Sequence, residues 1–190
     1  DLRQLGDSHN ADDPFFAAFK QKILDQYGVA RVEDLPVNYK GLLAIEGEKL
    51  TSGLFDRYAA ASFATQADQS AIMNGFGALS PAIGLRRLSM AAAGTDLDGH
   101  RRFLGQAEAY RFDIVQRLNR LQADGVSYAD DTAEDAGADR RKRIAHRHWN
   151  DIPEFTFTPA TGAELASSAL PGLAMVAGWL LAAMGSVSIA

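Results

Sequence analysis

Apolar residues recur at three- and four-residue intervals along most of the chain, the pattern of helices that each bury one stripe. Phe15, Phe16, Phe19, Ile23 and Tyr27 form the first stripe. It opens on Asp12-Asp13-Pro14, an acidic cap with proline in the first turn, and ends before Gly28, a residue suited to a helix C-terminus. Residues 30–36 read as a connector. A longer helix follows over about residues 38–69, with Leu43, Leu50, Leu54, Tyr58 and Ala61 on one face. Gly41, Gly47 and Gly53 weaken it by roughly 1 kcal/mol each relative to alanine. Either they let another helix approach closely, or the segment breaks there.

Residues 72–80 contain Gly75 and Gly77 and predict a turn. Ser80-Pro81 opens a third helix over 81–93, closed by Gly94. Thr95 or Asp96 caps the fourth and most regular helix, which runs to about Ala123 with Leu104, Ala107, Tyr110, Ile114, Leu118 and Leu121 at helical spacing. Residues 124–139 form an acidic loop without a basic residue, followed at once by Arg140, Arg141, Lys142, Arg143 and Arg147. Its acidic and basic halves should partly neutralise each other. Residues 152–158 alternate apolar and polar, as in a short strand or an extended lead.

The pattern ends in a different regime. After Glu164 the chain carries no charge, and residues 165–190 are long enough to cross a bilayer, which needs about 20 mostly apolar residues. Alanine, glycine and serine make the run only moderately apolar, and Pro171 is expected to start or bend its helix. Ala174, Gly178, Ala182 and Ser186 recur every fourth residue, a small-residue stripe of the kind that lets membrane helices approach. Trp149 and Trp179 bracket the crossing point. The competing expectation is a buried C-terminal hairpin or core helix in an alanine-rich soluble protein.

Composition narrows the function classes. A net charge of −5 argues against a general nucleic-acid binder. The absence of cysteine excludes disulfides, zinc–thiolate sites and thiol catalysis within this sequence. His146-x-His148 with Asp151 nearby is the one spacing that suggests zinc or copper, and the surrounding arginines oppose it by repulsion. There is no nucleophile elbow, no phosphate-binding lysine loop and no complete dinucleotide fingerprint. Glu46 with Glu48, and Asp96 with Asp98, are two apart, a spacing that points helical side chains to different sides. No cofactor is called for, and no enzyme activity has positive support. The chain begins at Asp1 without methionine or a signal-peptide pattern, as a fragment or processed form would.

Three stretches carry a resemblance. They are Asn38-Tyr39-Lys40-Gly41-Leu42, then Leu79-Ser80-Pro81 through Leu85-Arg86-Arg87-Leu88-Ser89-Met90-Ala91-Ala92-Ala93-Gly94-Thr95-Asp96, then Trp149-Asn150-Asp151-Ile152-Pro153-Glu154-Phe155. Together, over about residues 10–160, they are similar to the large extracytoplasmic domain inserted between two transmembrane helices in one family of bacterial type-2 ABC transporter permeases. The resemblance implies residues 1–160 as a mainly α extracytoplasmic domain, a helical bundle with long amphipathic helices, and 161–190 as a transmembrane segment or its start. It also implies a location at the bacterial inner membrane with this domain on the periplasmic side. Such permeases pair as dimers and are driven by a separate cytoplasmic ATPase that binds outside this chain.

The resulting expectation is a non-catalytic domain of an export permease that docks a partner or substrate or helps two permeases meet. The alternative is a helical ligand-binding ectodomain of a membrane sensor, and a third reading is a soluble helical enzyme. Arg86, Arg87, Thr95 and Asp96 are the residues of interest, because the most specific motif concentrates there. A structural role is the first expectation for them: Thr95 or Asp96 as a helix cap, with Arg86 or Arg87 as its ion-pair partner.

Overall fold

The computed structural model describes residues 13–76 and 80–187. Asp12, residues 77–79 and the last three residues of the tail, each used in the sequence reading, lie outside the described residues. The described residues are mainly helical, with no strand among them. Among the described residues seven α-helices follow in order: α1 (Pro14–Tyr27), α2 (Tyr39–Gly75), α3 (Pro81–Ala92), α4 (Leu97–Gly125), α5 (Tyr128–Thr132), α6 (Ala138–Lys142) and α7 (Gly162–Val187). Short 3-10 turns occupy Val32–Asp34 and His146–Trp149. The chain falls into two compact units. One takes the described residues up to Asp56 with Ala109–Phe155, and the other takes Arg57–Glu108 with the residues from Thr156 on.

In the first unit, α1 begins where a carboxylate meets the orphan amides of a helix start. Asp13 accepts from the amides of Phe15 at 2.9 Å and Phe16 at 3.4 Å. The helix ends on Gly28, whose φ of 65° is left-handed backbone that suits glycine. Between these caps Phe16, Ile23 and Leu24 are buried. Ile23 and Leu24 join Leu35, with Phe19, Val29, Val32, Tyr39 and Leu42 packed around them. Each such side chain contributes about 1.5–3 kcal/mol on full burial. Phe15 and Tyr27, the flanks of the same stripe, stay exposed.

Asn38 starts α2. Its side-chain oxygen accepts from the Gly41 amide at 3.2 Å, and its backbone N–H donates to the Ala123 carbonyl at 2.7 Å, tying α2 to α4. Gly41 lies against that same residue, so close that a Cβ there would sit 2.5 Å from the Ala123 nitrogen. Gln116, buried on α4, donates to the Ile45 carbonyl at 3.0 Å, and Arg111 pairs with Glu48 at 2.6 Å. The three glycines therefore differ. Gly41 permits a close helix crossing, whereas Gly47 and Gly53 have nothing within 4 Å and leave the helix unbroken. The helix also runs on to Gly75, past the expected end near Gln69 and into the segment 72–80 that was expected to turn.

The acidic segment after α4 contains two short helices rather than one irregular loop. Ser127 caps α5 by accepting from the Asp130 amide at 3.1 Å. Arg141 on α6 pairs with Asp130 at 2.9 Å and also with Asp135, while Lys40 pairs with Asp131 at 2.8 Å. The expected neutralisation between the acidic and basic halves is thus carried mainly by one arginine. Residues 153–160 are extended without pairing into a strand, and the Tyr110 hydroxyl donates to the Pro153 carbonyl at 2.8 Å beneath Phe155.

The Asp135 carboxyl is held below the usual carboxylate range, first by its hydrogen bond from Arg141 and then by the Gly137 amide. A group whose pKa is lower folded than unfolded stabilises above its unfolded value and loses that effect as pH falls toward the folded one. The α5–α6 clasp is therefore expected to hold at neutral pH and loosen below about pH 4. Exchange of the Gly137 amide, corrected for its intrinsic rate, should quicken on acidification more than exchange within α4. In Asp135→Asn that excess should vanish, and its persistence would mean that the clasp does not depend on this charge.

Candidate functional site at the α3–α7 corner

The second unit is organised around one helix crossing and one helix turn. Gly84, Leu88 and Ala91 recur at four and three residues along α3, and Gly84 and Ala91 are buried. This seam meets α7, where a Cβ on Gly172 would lie 2.6 Å from the Leu88 nitrogen and one on Gly84 would lie 3.0 Å from the Met175 Cβ. Two glycines thus set the closeness of the crossing, one from each helix. Pro171 sits inside α7 rather than at its start.

The turn from α3 to α4 explains the most specific sequence motif. Gly94 takes φ 65°, and the Thr95 amide donates back to the Met90 carbonyl at 2.9 Å, closing the end of α3. Asp96 accepts from the Gly99 amide at 2.9 Å and so caps α4. Gly99 is pressed onto the Gly94 carbonyl, where no side chain would fit. Of the two cap candidates, Asp96 holds the α4 start, while the Thr95 hydroxyl points back to the Met90 carbonyl at 3.4 Å. The expected ion pair does not form: among the described residues, neither Arg86 nor Arg87 pairs with a carboxylate. Both arginines instead line a concavity of about 700 Å³, together with Asp96, Asn74 and Ser70 from α2, and Pro171.

α7 begins earlier than the uncharged run, and the signal for its start was present in the sequence. Thr161-x-x-Glu164 forms a reciprocal capping box: Glu164 accepts from the Thr161 amide at 2.7 Å, and Thr161 accepts from the Glu164 amide at 3.3 Å. Arg102 pairs with Glu164 at 2.7 Å, anchoring that start to α4. Just before it, Gln106 and Thr158 exchange two hydrogen bonds, at 2.9 and 2.8 Å, and Phe157 lies edge-on to Phe103. The last charged residue before the apolar run is therefore fixed in place by the folded domain.

Beyond that point α7 is long and apolar enough to cross a membrane. Its best window has a mean hydropathy of 1.7 and is only 6% buried. Leu170, Leu173, Leu180, Leu181 and Val187 stand exposed along it. The helix packs on α3 through Gly172 and Met175, so the small stripe of Ala174, Gly178, Ala182 and Ser186 faces away from that seam and is exposed. The histidine pair is not gathered into a centre. His146 and His148 lie in a 3-10 turn, and among the described residues no group of three histidine or carboxylate side chains could hold a metal ion.

No curated protein and no solved structure matches the chain. A family model does, over residues 2–158, and it stops four residues short of α7. By that match the chain belongs to the family described as "Domain of unknown function (DUF3526)".

Proposed function

We propose that this chain is the extracytoplasmic domain of a bacterial ABC-type export permease, followed by a helix that returns the chain to the inner membrane. The observation that carries this reading is α7: it is apolar for a bilayer's thickness, and the protein leaves almost all of that surface uncovered. A helix of a soluble core would bury such a face. Two further features support it. The family match stops at residue 158, and the capping box with the Arg102 pair fixes the last charge at Glu164, so folded domain and apolar helix meet at a defined point. The sequence resemblance supplies the transporter context. In this reading the domain performs no chemistry of its own. Energy comes from a cytoplasmic ATPase bound outside this chain, and two permeases pair across the membrane.

The test uses the absence of cysteine in this sequence. In the full-length protein, with any cysteine outside this segment removed, Asp56→Cys introduces one thiol on an exposed stretch of α2. A membrane-impermeant maleimide is expected to label it in cells whose inner membrane is intact. Labelling only after that membrane is broken would place the domain in the cytoplasm and overturn the assignment.

A further inference from the structure

We infer that the α3–α7 corner is a lipid-facing seat, in which Arg86 and Arg87 hold the phosphate of an anionic phospholipid while Leu85 dips among the acyl chains. The inference rests on α7 spanning the bilayer, as proposed above. Its own carrier is the level at which α3 crosses α7. Glu164, held by Arg102, is the last charge before the apolar run, so a hydrocarbon core of about 20 helical residues begins about one turn later, near Ser168. Gly172 and Met175, where α3 packs, lie one to two turns past that point. α3 runs alongside this stretch, Gly84 beside Met175 and Gly94 beside Leu165, so Leu85 is held at acyl-chain depth while the arginines that follow it lie nearer the headgroups.

The faces of α3 fit that position. Gly84, Leu88 and Ala91 are used against α7. Leu85 is 59% exposed beside them, a large apolar side chain without cover, and Arg86 is exposed next to it. At the end of α2, in the same unit, Ile72, Met73 and Phe76 are exposed as well. Arginine suits this boundary because its stem can lie in apolar surroundings while the guanidinium reaches phosphate, and the planar fork matches phosphate oxygens. Among the described residues both guanidiniums lack a carboxylate partner and line one concavity. Asp96 and Asp98 face that concavity too, but they sit at the N-terminus of the long helix α4, whose dipole offsets their charge.

The experiment reconstitutes the 190-residue chain in vesicles of phosphatidylcholine with or without phosphatidylglycerol. An environment-sensitive fluorophore is attached at Leu85→Cys, and in a separate sample at Leu181→Cys on the exposed side of α7. Both probes should be quenched by lipids carrying a nitroxide on the acyl chain. Spin-labelled phosphatidylglycerol should associate more tightly than phosphatidylcholine, and R86Q/R87Q should cut that preference by roughly ten- to thirtyfold. R86K/R87K, which keeps the charge, should restore much of it. Quenching at residue 181 with a water-exposed probe at residue 85 would overturn the seat and leave the membrane span standing. Water-exposed probes at both positions would overturn both. A lipid preference unchanged in R86Q/R87Q would overturn the phosphate assignment.

Discussion

Gly41→Ala is expected to destabilise the first unit by roughly 2–4 kcal/mol, the largest effect of a single methyl at any glycine of α2. The new Cβ would meet the nitrogen of Ala123 at 2.5 Å and its Cα at 2.6 Å. Both are backbone atoms of a helix and cannot rotate away as a side chain tip could. α2 and α4 would have to separate, and the Asn38 backbone N–H that donates to the Ala123 carbonyl at 2.7 Å would lose its partner. Overpacking typically costs about 1–3 kcal/mol, and a buried hydrogen bond adds about 1 kcal/mol. Gly53→Ala supplies the contrast, because nothing lies within 4 Å of that position. There the helix should gain about 0.5–1 kcal/mol from alanine's propensity and a less free unfolded chain. Urea unfolding followed by circular dichroism, with α7 held in detergent or lipid, reads both. Shifts in the same direction would mean that α2 and α4 do not cross at Gly41.

These two glycines also mark how far the sequence could be read. Features decided within a few residues were legible. Asp13 before Pro14 caps α1, Gly28 ends it, and Gly94 with Asp96 builds the α3–α4 turn. Such contacts join groups two to five residues apart, so spacing and residue type specify them. The mainly α architecture followed for the same reason, from the apolar period. What lay beyond reach is set by partners far along the chain. Gly41, Gly47 and Gly53 look alike in sequence, and only the distant Ala123 makes the first indispensable.

Nearness in sequence suggests Arg86 or Arg87 as the ion-pair partner of the cap at Thr95 or Asp96. The helix turn turns that carboxylate toward the Gly99 amide instead and leaves both guanidiniums on the concavity. The α7 start falls between these cases. Its Thr-x-x-Glu box was visible in the sequence, but Pro171 left open whether the helix starts there or only bends. Proline at the tenth position costs a hydrogen bond, and the glycine seam with α3 holds the helix together one residue later.

Leu181→Arg is expected to remove the chain from membranes. Leucine favours the centre of a bilayer by about 0.3–0.6 kcal/mol and arginine opposes it by about 2.5–3.5 kcal/mol, so the exchange costs roughly 3–4 kcal/mol of insertion. That corresponds to a fall of two orders of magnitude or more in the inserted fraction. The side chain is 70% exposed, so nothing in the folded protein rests on it. In a soluble protein an exposed Leu→Arg change would alter stability by no more than about 0.5 kcal/mol. The two readings of α7 therefore separate at this residue.

Ser167→Arg gives the depth control. It lies three residues past Glu164, where a long side chain reaches water, and should leave insertion nearly unchanged. Expressed as the 190-residue chain, wild type and Ser167→Arg should stay with carbonate-washed membranes, while Leu181→Arg should move largely to the soluble fraction or be degraded. If Leu181→Arg remained with the membranes as firmly as wild type, α7 would not cross at that depth. The exposed leucines of α7 would then need a protein partner to cover them.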